Sequence, residues 1–176
     1  MRCHAKNVVA NIAALQTLAA GAKVSSITLT DSTTPTLALT AAQYSADTAA
    51  LGKISSAYNL SISGVTATNA ATVAGAAHVT SLTVSDTGAN VVANIAALQI
   101  LVAGSKVTSI TLTDSTTPTL SITVAQQTAD AATLGKISNA YNLSVSGVTA
   151  ANAAAEAALA HVVSITVSDN PARRAG

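Results

Sequence analysis

The stretch NVVANIAALQTLAAGAKVSSITLTD at 7–31 returns as NVVANIAALQILVAGSKVTSITLTD at 90–114, shifted by 83 residues. The correspondence extends from Asn7–Asp86 to Asn90–Asp169, and 60 of these 80 positions are identical. Such self-similarity predicts an array whose units bury their apolar faces against their neighbours. Within the stretch, Val8, Ile12, Leu15 and Leu18 fall on one side of a 3.6-residue period, which predicts a helix over 7–20. Gly21 is the expected stop, with Lys23 near the negative end of the helix dipole. Val91, Ile95, Leu98, Leu101 and Gly104 repeat the pattern.

Three segments in each copy alternate apolar with polar residues: Val24–Asp31, Ala57–Gly64 and Val79–Asp86. Alternation with β-branched residues is a strand signal. The inward pairs are Ile27/Leu29, Leu60/Ile62 and Leu82/Val84, then Ile110/Leu112, Leu143/Val145 and Ile165/Val167. Steps of 33, 22 and 28 residues separate successive strands and sum to 83. About six strands are therefore expected, three per copy.

Helical segments fill the gaps. Thr40-Ala-Ala-Gln43 and Thr123-Val-Ala-Gln126 have capping-box spacing and open helices running to about Lys53 and Lys136. Alanine-rich helices are expected over Thr66–Ala77 and Thr149–Ala160. Pro35 interrupts strand pairing, and the alternating Leu37/Leu39 and Leu120/Ile122 admit a short extra strand after it. Strand followed by helix, repeated, requires parallel strands with crossovers. The expected fold is α/β, a right-handed solenoid with one parallel sheet. The divisions are a non-repeat tail at 1–6, copy one at 7–89, copy two at 90–169 and a second tail at 170–176. Neither tail has the polar outer face of a capping unit, the expectation for a fragment of a longer chain.

Composition narrows the functional classes. Charged residues make up 9% of the 176, and the net charge is +1. No basic cluster tracks a phosphate backbone, so nucleic acid is not an expected partner. There is no Trp or Phe, so the core must be built from closely spaced aliphatic side chains. Cys3 is the single cysteine and excludes an internal disulfide. Met1–Lys6 and the apolar residues that follow mimic a signal peptide. The recurrence of NVVANIAALQ at 90–99 instead marks a repeat helix, and no apolar run reaches the length of a membrane span.

The apolar-x-x-apolar-x-apolar strand pattern and the mean step of about 28 residues resemble leucine-rich repeats in geometry. Ser32, Val65 and Thr87 occupy the place where that family carries its Asn ladder. The phrases SITLTDSTTPTLALTAAQYSADTAALGKI and YNLSVSGVTAANAAA resemble units of very large bacterial exported repeat proteins of hemolysin or β-strand-repeat type. That resemblance implies a secreted or cell-surface setting and a spacer or adhesive role. The Gly-Gly-x-Gly-x-Asp calcium nonapeptide found elsewhere in such proteins does not occur here.

The expected outward face of the sheet carries Thr28, Thr30, Ser61, Ser63, Thr83, Ser85, Thr111, Thr113, Ser144, Ser146, Thr166 and Ser168. With strands roughly 4.8 Å apart, these hydroxyls would form a grid able to meet ice, a glycan or a protein. Ser and Thr also simply suit an exposed sheet. Asp31, Asp86, Asp114 and Asp169 each close a strand. Asp86 and Asp114 are the best candidates to share a cation, although Ca²⁺ usually takes six to eight oxygens and such residues commonly serve as turns or N-caps. His78 and His161 are repeat equivalents, expected about 14 Å apart and thus too distant to share a metal. Tyr58 and Tyr141 precede strands, where they could stack on a ligand, and are expected rather to cover the solenoid edge. No nucleophile elbow, carboxylate pair, phosphate loop or dinucleotide fingerprint occurs, and Glu156 is the one glutamate. No catalytic residue and no cofactor are therefore assigned. The expectation is a non-catalytic structural or interaction module, with ligand binding on the hydroxyl face as the alternative. Open solenoid ends would allow self-association.

Overall fold

A computed structural model describes residues 1–168. In chain order, β1 (Arg2–Cys3) in the N-terminal tail is followed by α1 (Ala5–Ala10), which runs from the tail into the first copy, and then by α2 (Ile12–Ala20), β2 (Thr28–Leu29), β3 (Thr36–Thr40), α3 (Ala41–Ala46), α4 (Thr48–Leu51), β4 (Asn59–Val65), α5 (Ala70–Ala74) and β5 (Val79–Asp86). α6 (Gly88–Ala93) leads into the second copy, which continues with α7 (Ile95–Ala103), β6 (Val107–Leu112), β7 (Thr119–Thr123), α8 (Val124–Ala129), α9 (Ala131–Leu134), β8 (Asn142–Val148), α10 (Ala153–Ala157) and β9 (Val162–Val167). A 3-10 turn at Ala150–Asn152 precedes α10.

The protein is α/β and its strand pairings are parallel among the described residues. Where about six strands in one sheet were expected, nine form, in a four-stranded group β3-β4-β5-β6, a three-stranded group β7-β8-β9 and the pair β1-β2. The extra strands β3 and β7 follow Pro35 and Pro118, as the alternating leucines allowed. The segment expected as a strand over 24–31 is regular only at Thr28–Leu29. Its counterpart in copy two extends over Val107–Leu112 because β5 lies beside it. Strand length here depends on the neighbour, as the ladder hydrogen bonds come from outside the segment.

The four-stranded group crosses from one copy to the other through β5 and β6, with Leu82 opposite Val107, Val84 opposite Ile110 and Asp86 opposite Leu112. Residues 1–3, outside the sequence duplication, take a repeat position. Arg2 and Cys3 face Thr28 and Leu29 as Ser85 and Asp86 face Thr111 and Leu112.

The helix expected over 7–20 is two helices meeting at Asn11, whose φ of −120° is not helical. The Asn11 amide group donates to the Asn7 carbonyl at 2.9 Å, and Asn94 donates to Asn90 at the same distance. At Asn11 the side chain takes the carbonyl that the helical N–H bond would use, whereas Asn94 also keeps its N–H bond to Asn90 O at 3.2 Å. The break turns Leu18 outward (45% exposed) and brings Ala19 into the core. Both capping boxes form, Thr40 with Gln43 and Thr123 with Gln126.

The chain stop after α2 differs from expectation. Gly21 has φ −79°, and the positive φ falls on Ala22 at 55°, with Ser105 at 57° in copy two. Lys23 N–H donates to Leu18 O at 2.8 Å and Ala22 N–H to Ala19 O at 3.1 Å. This is a Schellman motif with alanine in the position that glycine usually fills.

The core is one aliphatic cluster between strands and helices. Val8, Ile27, Leu37, Ile62, Leu82, Leu98 and Ile110 are wholly buried. Removing such apolar area from water contributes about 1.5–3 kcal/mol for each large side chain.

Candidate interaction face

The alternation along the strands sends apolar residues inward and hydroxyls outward, as in β4, where Leu60 and Ile62 are buried and Ser63 is exposed. The outward residues do not form one regular lattice. Two residues of β4 are accommodated between the Ile62–Leu82 and Val65–Val84 pairs, where β5 has one, and β5 meets β6 with a further irregularity after Leu82. A further shift between Leu60 and Ser61 places Ser61 opposite Ser81, and the one after Leu82 places Thr83 opposite Ser109 rather than Thr111. Ser85 does face Thr111. In the second copy Ser144 faces Ser164, and Ser146 faces Thr166. Thr28 belongs to the separate β1-β2 pair. Thr30, Thr113 and Ser168 lie just beyond strand ends and are exposed. Bulges of this kind add a residue to one strand and increase its twist, which a two-residue alternation in the sequence does not reveal.

Many hydroxyls are also engaged with the protein itself. Ser81 Oγ donates to Ser61 Oγ at 3.1 Å, and its counterpart Ser164 donates to Ser144 at 2.8 Å. Thr111 and Ser138 hydroxyls are 3.2 Å apart, and Thr28 and Ser55 are 3.5 Å apart. Thr83 Oγ1 accepts from the Gly64 amide at 3.2 Å, beside the bulge, where Gly64 has φ 71°. Ser63 and Ser146 donate to the carbonyls of Leu39 and Ile122, each at 3.4 Å.

Of the strand-closing aspartates, Asp31 and Asp114 cap helices across the fold, and Asp86 holds the turn before α5. Asp31 Oδ2 accepts from Ala5 N–H at 2.8 Å, Asp114 Oδ2 from Gly88 N–H at 2.7 Å and Asp86 Oδ2 from Ala67 N–H at 2.9 Å. Asp86 Oδ1 also accepts from Thr87 N–H and the Asn90 amide group, at 2.9 and 2.7 Å. Burial pushes the Asp86 carboxyl up. Hydrogen bonds from Asn90, Ala67 and Thr87 outweigh that and leave its pKa below the ordinary carboxylate value. The carboxylates of Asp86 and Asp114 are thus each committed to backbone donors. Among the described residues no three His, Cys, Asp or Glu side chains converge into a metal site. Asp169 lies outside the described residues.

Further cross-links escape a sequence reading. Gln16 Oε1 accepts from Ala50 N–H at 2.9 Å, tying α2 to α4. Gln99 Oε1 accepts from both the amide and the hydroxyl of Thr133 at 2.9 Å, tying α7 to α9. His78 stacks on Tyr58 with centroids 4.1 Å apart, and His161 on Tyr141 at 4.2 Å. Each histidine has φ 68°. Each also holds Nδ1 within 3.1 Å of the stacked tyrosine's carbonyl, which requires the proton on Nδ1. Burial raises the phenol pKa of both tyrosines, with Tyr44 adding to the effect at Tyr58. The tyrosines are buried just before the interior strands β4 and β8, and the duplication of His and Tyr was the pairs' only trace in the sequence.

Open grooves recur between helix starts and strand ends. One of about 530 Å³ is lined by Gly88, Val92, Asp114 and Pro118, and its counterpart of about 440 Å³ by Ala5, Val9, Asp31 and Pro35. Their one carboxylate in each case is already the helix cap. No described helix is long and apolar enough to cross a membrane. Protein-family models, curated proteins and solved structures yield no match to this chain.

Proposed function

We propose that the chain is a non-catalytic structural and interaction module of a secreted or cell-surface protein, acting as a spacer or adhesive segment. In this reading the strand–helix units wind into one continuous right-handed solenoid, the hand that parallel crossovers almost always take. The observation that carries it is the β5–β6 pairing, which joins the end of one copy to the start of the next through buried Leu82, Val84 and Ile110. Caps such as Asp114 on Gly88 add polar links between neighbouring units. The setting rests on the resemblance to exported repeat proteins.

Concatenated chains of two, three and four copies test this reading. Three main strands per copy at roughly 4.8 Å each should add about 14 Å per copy to the long dimension, read by small-angle scattering or electron microscopy. Stability should rise with copy number, as nearest-neighbour interfaces accumulate. A dimension that fails to grow linearly would reject the solenoid.

The recurrence of hydroxyl pairs Ser61–Ser81 and Ser144–Ser164 favours a second reading, a sheet face that meets ice, glycan or protein. Replacing Thr83 and Thr111 by arginine would abolish that binding and spare the fold. Unchanged ice shaping and glycan-array binding would remove this reading.

A further inference from the structure

The two equivalent strands β5 and β9 differ in what covers them. β5 lies between β4 and β6, whereas β9 pairs only with β8 among the described residues. Val84 is 1% exposed, while its counterpart Val167 is 46% exposed. Ile165, the counterpart of the wholly buried Leu82, is half-buried. Val163 and Leu159 nearby are also exposed.

The internal duplication identifies the kind of strand that fits. β6 covers β5, and the counterpart of β6 is the segment 24–29. Only its end is paired on that side, where Arg2 and Cys3 meet Thr28 and Leu29. Val24 is half-buried, although its counterpart Val107 is buried. Lys106 places Nζ 2.6 Å from the Val79 carbonyl in β5, while its counterpart Lys23 is exposed.

We propose that a second copy of this chain covers β9: β9 of one copy adds in parallel to residues 24–29 of the next, in the β5–β6 register. Ile165 then lies beside Val24, Thr166 beside Ser26 and Val167 beside Ile27, as Leu82, Thr83 and Val84 lie beside Val107, Ser109 and Ile110. Lys23 reaches the Val162 carbonyl. The two surfaces differ, so the contact is head-to-tail and gives an open ladder of copies. Met1 occupies the place of Val84, its amino group 3.0 Å from Ser26 O. The incoming Val167 must therefore displace residues 1–3, and this short strand competes with assembly. The proposal rests on the solenoid reading, because it treats the second copy as the next winding.

Sedimentation velocity of the full chain over a concentration series is the test. The expected result is a ladder of species at multiples of 17.2 kDa. Val167→Lys places a charge on an already exposed position, so it should keep the circular dichroism spectrum and remain monomeric. Its acceptor segment is intact, so adding it to wild type should shorten the ladder. Removing residues 1–3 should shift assembly to lower concentration. A single 17.2 kDa species throughout, or a V167K ladder equal to wild type, would overturn the proposal. So would concentration-independent hydrogen-exchange protection of the β9 amides, which would assign their cover to residues 169–176 of the same chain. A natural chain that stays monomeric while concatenated copies lengthen linearly would defeat the association and leave the solenoid standing.

Discussion

Oδ2 of Asp114 lies 2.7 Å from the amide nitrogen of Gly88, the first residue of α6. Asp31 stands in the same relation to Ala5 at the start of α1, at 2.8 Å. An N-cap normally comes from the residue before the helix. Here a carboxylate from a later strand end satisfies the first helical amide, so the cap also ties two parts of the sheet together. Asp114→Ala should cost about 1–2 kcal/mol, the range for losing an N-cap or a charge-assisted hydrogen bond. Thermal denaturation would register a fall of roughly 2–8 °C for a domain of this size. An unchanged midpoint would show that solvent replaces the carboxylate without loss.

Asp86 makes stability depend on pH. Its folded pKa lies below the ordinary carboxylate value because three donors favour the ionised form over the opposing effect of burial. The sign follows from linkage: the contribution is present above the unfolded carboxylate pKa, about 3.9, and is lost as pH falls through the folded value. Urea unfolding of wild type should therefore weaken on acidification more steeply than that of Asp86→Asn. Parallel pH profiles would contradict this role.

The helix stop after α2 separates two adjacent substitutions. Ala22 holds φ 55°, a conformation costing a residue with a Cβ roughly 1–2 kcal/mol. Glycine removes that strain and costs roughly 0.5–1 kcal/mol of unfolded-chain entropy. Ala22→Gly and Ser105→Gly should each stabilise by about 0.5 kcal/mol on balance. Gly21→Ala should be tolerated, since φ there is −79° and an added Cβ would stand 3.4 Å from the nearest atom. A loss of stability in Ala22→Gly, measured by denaturant midpoint, would reject the assignment of the left-handed position.

Tyr58 and Tyr141 carry phenol pKa values raised by burial. A group with a raised folded pKa contributes stability that is full below the unfolded value and fades as pH rises through the folded one. Stability should thus decline above about pH 10. Spectrophotometric titration of tyrosinate should show Tyr58 and Tyr141 ionising late. Tyr58→Phe combined with Tyr141→Phe should flatten the alkaline loss.

The capping boxes at Thr40 and Thr123, and the strands around Ile62, Leu82 and Val145, were legible because local hydrogen bonding and two-residue alternation are written in adjacent positions. The break at Asn11 was not, because it depends on an amide side chain displacing a backbone bond that the apolar period alone would continue. The hydroxyl face was legible residue by residue, yet its rows were not. The irregularities between β4 and β5 and after Leu82 place Ser61 beside Ser81 and Thr83 beside Ser109.

Duplication and periodicity determined on their own that strands alternate with helices, that the strands run parallel and that the buried layer is aliphatic. Those properties follow from the spacing of apolar side chains along the chain. Tertiary structure alone decided which strands acquire a neighbour, where register slips, and which distant amide each aspartate caps. Strand pairing, the distant aspartate contacts and the glutamine cross-links involve partners 19 to 34 residues away, and their energies are set only when those partners meet.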